Sequence, residues 1–335
     1  MTMTAASAEL QSSAQPEVRP AKGIALKAGP PAGSGGPAIE TRQLTKRYGD
    51  VLAVDRLDLR VETGEIFGFL GPNGAGKTTT MRMLLGLIRP TSGEAMVLGR
   101  SIEADLPAIL RSTGCIIENP TFYPYLSGRD NLRAAARLSG VSEDVVARTL
   151  DLVDLTDAAG KRFKTYSLGM KQRLAVGAAL LHGPDLLILD EPANGLDPAG
   201  IVEMRQLMKR LKGEGHTVLI SSHVLHEIEQ ICDRIAILNR GRIVIQGRVG
   251  ELLRTGARLE LRVADSDRAL RVLEAAQWIG PVECEGDRLL VAVPLERAAD
   301  VNALLAWSGL YAHGIAAQEE SLERYFLEVT GGNGR

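Results

Sequence analysis

Short apolar runs alternating with helical stretches from Ala38 to about Leu253 predict an α/β chain in which helices cover a mixed sheet. Two further observations refine that class. A glycine-rich turn, Gly71-Pro72-Asn73-Gly74-Ala75-Gly76-Lys77-Thr78-Thr79, lies between the apolar run Ile66–Leu70 and a helical pattern, the context that the phosphate-cradling pattern GxxxxGK[ST] requires. Beyond Arg254 the order changes to βαββαβ, which suits a small α+β unit of ferredoxin-like type. The expected organisation is a disordered leader over residues 1–37, a phosphate-loop unit over 38–253 and an accessory α+β unit over 254–335.

In the first unit, strands are expected over residues 38–44, 58–61, 65–70, 94–98, 114–117, 186–190, 217–221, 235–238 and 242–246. Helices are expected over 77–87, 129–138, 143–153, 168–181, 201–211 and 225–232. Leu186-Leu187-Ile188-Leu189 is a continuous apolar run that stops at Asp190 and Glu191, which is how a buried strand delivers charged groups to a site. The helix over 168–181 carries Leu174, Val176, Ala178, Leu180 and Leu181 behind Ser167, a good N-cap. In the second unit, strands over 259–263, 282–284, 288–293 and 311–315 alternate with helices over 266–276 and 298–307. An amphipathic helix over 319–329 follows, with Leu322, Tyr325, Phe326 and Val329 at core-packing spacing.

A chain of 335 residues, 45% of them hydrophobic, can bury a large core. Its 39 Lys and Arg against 41 Asp and Glu leave a net charge of −2, with no dense basic block to track a phosphate backbone, so nucleic acid is not an expected partner. Cys115, Cys232 and Cys284 are far apart and lack CxxC spacing, which fits a reducing compartment and points to the cytosol. No stretch is apolar enough to span a bilayer; the longest without Asp, Glu, Lys or Arg, over 301–318, still holds Asn302, Ser308 and His313. Residues 1–37 are rich in Ala, Ser, Gly and Pro and show no signal-peptide pattern.

The glycines of the turn let backbone N–H groups approach a polyphosphate, and the helix behind them offers the positive end of its dipole to the same anion. Lys77 is then placed for the β- and γ-phosphates and Thr78 for Mg²⁺. Asp190 suits Mg²⁺, which takes few carboxylates plus phosphate oxygens and water. Glu191 suits the polarisation of an attacking water, a contribution of roughly 10²–10⁴ in rate for a general base. Ser167, with the free N–H groups around Gly169, offers a second anion-binding helix terminus. Read by itself, that second terminus is more often an ordinary capped helix.

The phosphate loop, then Ser167-Leu168-Gly169-Met170-Lys171-Gln172-Arg173, then Asp190-Glu191-Pro192, then Asn194-Gly195-Leu196-Asp197, then Ser221-Ser222-His223, taken in that order, resemble the ATP-binding subunit of an ABC transporter. The resemblance covers residues 38 to about 253. It implies a cassette with a mixed-sheet core and a helical subdomain, binding ATP and Mg²⁺. It further implies that Ser167, Gly169 and Gln172 belong to a signature loop acting across a head-to-tail dimer on ATP held by the partner copy. By the same resemblance Asp197 lies in a dimer-contact loop, His223 touches the γ-phosphate, and Tyr48 stacks on adenine. His182, His216, His226 and His313 are read as structural or surface residues.

Two positions depart from the family pattern. Glu118 stands where a glutamine usually meets Mg²⁺ and contacts the membrane subunit, and Leu168 stands for the first glycine of the signature. A carboxylate is still a hard oxygen ligand, but beside a γ-phosphate it adds repulsion unless Mg²⁺ neutralises it. Glu118 and the Tyr-Ser-Leu-Gly-Met-Lys-Gln-Arg segment together resemble the bacitracin and lantibiotic exporter branch. That branch implies a cytoplasmic ATPase, peripheral on the inner membrane face, serving a separately encoded permease. The aromatic segment Phe122-Tyr123-Pro124-Tyr125 suits a permease helix or folding onto its own helical lobe. A soluble ATPase acting on ribosomes or DNA usually has two cassettes or a long coiled-coil insertion; one cassette and no heptad run stand here. A nucleotide sensor without turnover is the third reading, and Glu118 sustains it.

Overall fold

The structure is a computed structural model of the chain and describes residues 36–118, 121–255 and 258–318. The helix expected over 319–329 lies outside the described residues, as does the leader apart from Gly36 and Pro37. Among the described residues the strands form three sheets.

The first is antiparallel. β1 (Ile39–Tyr48) pairs with β2 (Val51–Leu57) and β3 (Arg60–Val61). β4 (Ile66–Leu70) belongs to the second sheet and leads into α1 (Lys77–Leu84). The chain then returns to the first sheet as β5 (Ser92–Val97), beside β1, and β6 (Arg100–Ser101), beside β5. α2 (Leu106–Arg111) leads to β7 (Thr113–Ile116) at the edge of the second sheet. α3 (Gly128–Leu138), α4 (Glu143–Leu152) and α5 (Leu168–Leu180) follow as a helical lobe.

The second sheet is then completed by β8 (Leu186–Leu189), α6 (Pro198–Gly213), β9 (Thr217–Ser222), α7 (Leu225–Glu229), β10 (Arg234–Asn239) and β11 (Arg242–Arg248). Its order is β11-β10-β4-β9-β8-β7, parallel except for the β10–β11 hairpin. Side chains alternate between two cores because successive residues of a strand point to opposite faces. Phe67, Phe69, Ile188, Leu219 and Leu238 face α1 and the first sheet, whereas Ile66, Leu70, Leu187, Leu189, Val218 and Ile220 face the helices. A sheet covered on both sides explains why these strands read as unbroken apolar runs.

α8 (Val249–Thr255) closes this unit. The third sheet comprises β12 (Arg258–Val263), β13 (Val282–Glu285), β14 (Arg288–Val291) and β15 (Ala312–Gln318), with α9 (Ser266–Glu274) after β12 and α10 (Ala298–Trp307) before β15. Its order β13-β14-β12-β15, all antiparallel, is the one the βαββαβ reading calls for. Leu259, Leu261 and Val263 alternate onto the face covered by Leu273 and Leu305, forming a separate core.

Four elements were not expected from sequence: β2, β6, α2 and α8. Register shifts in the β1–β2 ladder leave only Val54 and Leu57 of β2 buried, three apart, so no period of two survives. α2 buries only Ile109, so it has no apolar stripe.

Candidate nucleotide site

The turn from β4 into α1 curls because Gly71, Gly74 and Gly76 take φ of 150°, 80° and 109°. A Cβ on Gly76 would lie 2.6 Å from the Ala53 carbonyl oxygen, so only glycine fits there. The β10–β11 hairpin fastens the other side. Arg240 and Gly241 both have positive φ, the geometry of a two-residue hairpin turn. Gly241 N–H donates to the Ala75 carbonyl at 3.0 Å, and the Gly241 carbonyl accepts from Asp55 N–H at 2.9 Å. The Arg242 guanidinium beside Asp55 holds that carboxyl below its ordinary range. Gly241 escaped the sequence reading; the sign it left is Asn239-Arg240-Gly241 between two apolar runs.

Lys77 is only 5% exposed. Its Nζ donates to the Gly71 carbonyl at 2.7 Å and lies 3.4 Å from Glu191 Oε1. A buried ammonium needs such partners, and the turn around it presents further donors of the same sign for an anion. Register brings the acids alongside: Leu189 pairs with Ile220 across β8 and β9, so Asp190 stands beside Ser221. Ser221 Oγ donates to Asp190 Oδ1 at 2.5 Å and accepts from Glu191 N–H at 2.8 Å. Thr78 Oγ1 donates to Asp190 Oδ2 at 2.7 Å. Ser221, which sequence reading gave no role of its own, therefore ties the two acids together.

Glu191 adopts φ 47°, a left-handed conformation that costs a non-glycine residue about 1–3 kcal/mol and recurs at functional sites. That backbone turn aims its carboxylate at Lys77 on one side and at His223 Nδ1, 3.1 Å from Oε2, on the other. Thr78 Oγ1 and Asp190 Oδ2 are hard oxygen donors one hydrogen bond apart, a pair that suits a hard divalent cation. No cluster of three or more His, Cys, Asp or Glu gathers for a metal among the described residues. A cation at Thr78 and Asp190 would therefore take its other ligands from phosphate and water.

The remaining residues singled out by sequence lie around this cluster. Glu118 has φ 71° and its carboxylate pairs with the Arg82 guanidinium, one helical turn beyond Thr78 on α1. Tyr48 ends β1 and is 47% exposed, with Lys46 Nζ 4.9 Å from its ring centre. Ser167 caps α5, its Oγ accepting from Met170 N–H at 3.2 Å; Gly169 lies near Leu196 and Gly200. Gln172 is buried, with its side-chain oxygen unpartnered. Asp197 caps α6, accepting from Gly200 N–H at 2.9 Å, with Pro198 in the first helical position. Among the other histidines, His182 and His216 bond the carbonyls of Thr113 and Pro184. Phe122 turns into the helical lobe against Phe163, while Tyr123 and Tyr125 are 66% and 73% exposed.

A glycine-rich phosphate cradle with a buried lysine after β4, and two acids delivered by β8, the next strand but one, define a phosphate-loop nucleotide hydrolase. The ABC transporter family matches over residues 54–194. The bacitracin transport ATP-binding protein of Enterococcus faecalis is 41% identical over 299 residues, 88% of this chain and 97% of that protein. The lantibiotic transport ATP-binding protein of Streptococcus pyogenes is 40% identical over 208 residues, 62% of this chain and 90% of that one. A solved structure described as the ATP-binding subunit of an ABC transporter is 31% identical, with a TM-score of 0.58 over 65% of this chain and 92% of its own. The chain belongs to the ATP-binding subunits of ABC transporters, whose general activity is ATP hydrolysis.

Proposed function

We propose that this ATPase drives export of a peptide antibiotic or similar compound through a separately encoded membrane permease, as a homodimer that closes around two ATP. The observation that carries the hydrolytic part is the placement of Glu191 between Lys77 and His223, with Asp190 fastened to it through Ser221. In that reading Tyr48 stacks on adenine, the turn from Gly71 to Thr79 holds the phosphates, and Lys77 leaves Glu191 for the β- and γ-phosphates. Glu191, oriented by His223, accepts hydrogen bonding from the attacking water and takes its proton as the bond from γ-phosphorus to the bridging oxygen breaks, giving ADP and phosphate. Thr78 and Asp190 hold Mg²⁺, which when bound neutralises charge on the triphosphate. Glu118, held by Arg82 one helical turn beyond Thr78 on α1, joins the γ-phosphate end once Arg82 releases it.

The exposed Ser167 cap, with Gly169 and Gln172 behind it, acts on the nucleotide of the second copy, and Asp197 lies in the loop between the copies. No described helix is long and apolar enough to cross a membrane; the transport reading assigns the membrane spans to the permease. Exposed Tyr123 and Tyr125 form the face it contacts on the inner side of the membrane. The relatives named for bacitracin and lantibiotic transport support this cargo class. Cells making the chain with the membrane protein of the neighbouring reading frame should tolerate more bacitracin or lantibiotic than cells with a Glu191→Gln chain. Equal sensitivity, with hydrolysis intact in the purified wild type, overturns the cargo assignment.

A further inference from the structure

A cavity of about 250 Å³ opens between the segment following β8, helix α6 and the turn from β9 into α7. Among the described residues the phosphate loop contributes nothing to its lining. Met204, Ile228 and Ile231 make its wall largely apolar, and Arg205, His223, Glu191 and Glu227 are its ionisable groups. The Arg205 Nε–H is buried without an acceptor. A buried donor left unpaired costs about 1–3 kcal/mol, and a guanidinium meets carboxylates with a planar fork of donors. Glu227 and Glu191 oppose an anion at this wall, but each has a cation beside it: burial pushes the Glu227 carboxyl up and the Arg205 charge draws it down by less, and Lys77 Nζ lies 3.4 Å from Glu191. In size the space lies between an engineered cavity of about 150 Å³ that takes benzene and the smallest drug-sized pockets. It suits one substituted ring or a short chain with a single polar head.

We propose that this cavity is a second ligand site, for a small apolar carboxylate whose anionic group bonds Arg205 and whose body rests on Met204, Ile228 and Ile231. The assignment goes beyond the transport reading and does not depend on it. Because His223 and Glu191 share the wall, an occupant there touches residues of the hydrolytic cluster from outside the phosphate cradle.

Calorimetric titration of the full chain with 4-butylbenzoate, and with its neutral methyl ester, tests the site. The benzoate should bind saturably at one site per chain, with the ester roughly tenfold weaker or more, the loss of one charge-assisted hydrogen bond. Arg205→Met should bring the benzoate down to the ester's affinity, and Ile201→Trp, which fills the space, should weaken both. Lys77→Ala, which removes a phosphate partner in the reading above, should leave benzoate binding unchanged. That arm separates the two assignments, because benzoate binding lost in Lys77→Ala would place the probe in the phosphate cradle. Such a loss, no saturable binding by the wild type, or undiminished benzoate affinity in Arg205→Met overturns the proposal.

Discussion

Helices α1 and α5 begin with the same physical opportunity, free N–H groups at the positive end of a dipole, and finish it in opposite ways. At α1 no side chain caps the helix: Gly76 is left-handed, and the lysine of the first turn is buried against Glu191. The donors are left open for a ligand, and an acid pair is already attached through Thr78 and Ser221. At α5 the chain closes one donor with its own Ser167 hydroxyl and leaves that residue exposed on the surface. One terminus is a receptor completed within the chain, and the other is a patch whose neighbours are Leu196 and Gly200. The contrast favours a division of labour in which each copy supplies a finished phosphate cradle and borrows the second terminus, as the proposed head-to-tail dimer requires.

The largest test of that division removes the acid. Glu191→Gln keeps the shape and loses the base, so turnover should fall by roughly 10²–10⁴ while ATP binding persists. A single-turnover assay that finds hydrolysis undiminished would take the catalytic role away from this carboxylate. Lys77→Ala should come next, weakening ATP roughly a hundredfold or more, the effect expected when one partner of a buried charge pair is deleted. If both substitutions act on binding alone, α1 holds nucleotide without the chemistry the contrast assigns to it.

The asymmetry also explains what could be read in the chain and what could not. The phosphate cradle and the ends of β4, β8 and β9 were legible because both depend on consecutive residues: glycines at fixed spacing, and apolar runs stopping at Asp190 or Ser221. The four-stranded sheet was legible for the same reason, since Leu259, Leu261 and Val263 alternate cleanly over one core. Ser221 as the link between the acids was not, because it follows from the β8–β9 register rather than from its own neighbours. Gly241 was missed likewise, since its bonds to Ala75 and Asp55 join segments far apart in sequence. β2 was hidden by its irregular ladder, and the pairing of Glu118 with Arg82 depends on a backbone turn at φ 71° that no local pattern announces.

A smaller effect is expected at the second terminus. Ser167→Ala should cost about 1 kcal/mol of stability through the lost cap. Ser167→Arg should leave ATP binding by the monomer intact and prevent ATP-driven association. An undiminished dimer by light scattering in Ser167→Arg, with Glu191→Gln introduced to stop turnover, would break the trans half of the comparison.

The smallest effect concerns what holds the helical lobe against α6. Asp154, just past α4, is bound by two nitrogens of Arg210, and Arg173 of α5 lies 3.3 Å from Glu203 of α6. The Arg210 hydrogen bonds hold the Asp154 carboxyl below its ordinary range against a smaller opposing effect of burial. A depressed carboxyl contributes stability above its unfolded titration range and loses it as the pH falls through the folded value. Both side chains are partly exposed, so Arg210→Gln should cost less than about 1 kcal/mol near neutrality, with less still at high salt. The difference between wild type and variant in chemical denaturation should shrink in acid, once Asp154 is protonated in both. A difference that stays constant from neutral to acid pH would mean that Arg210 acts through packing of its stem on α6, and that α5 is seated by Arg173 and the apolar lobe without help from this ion pair.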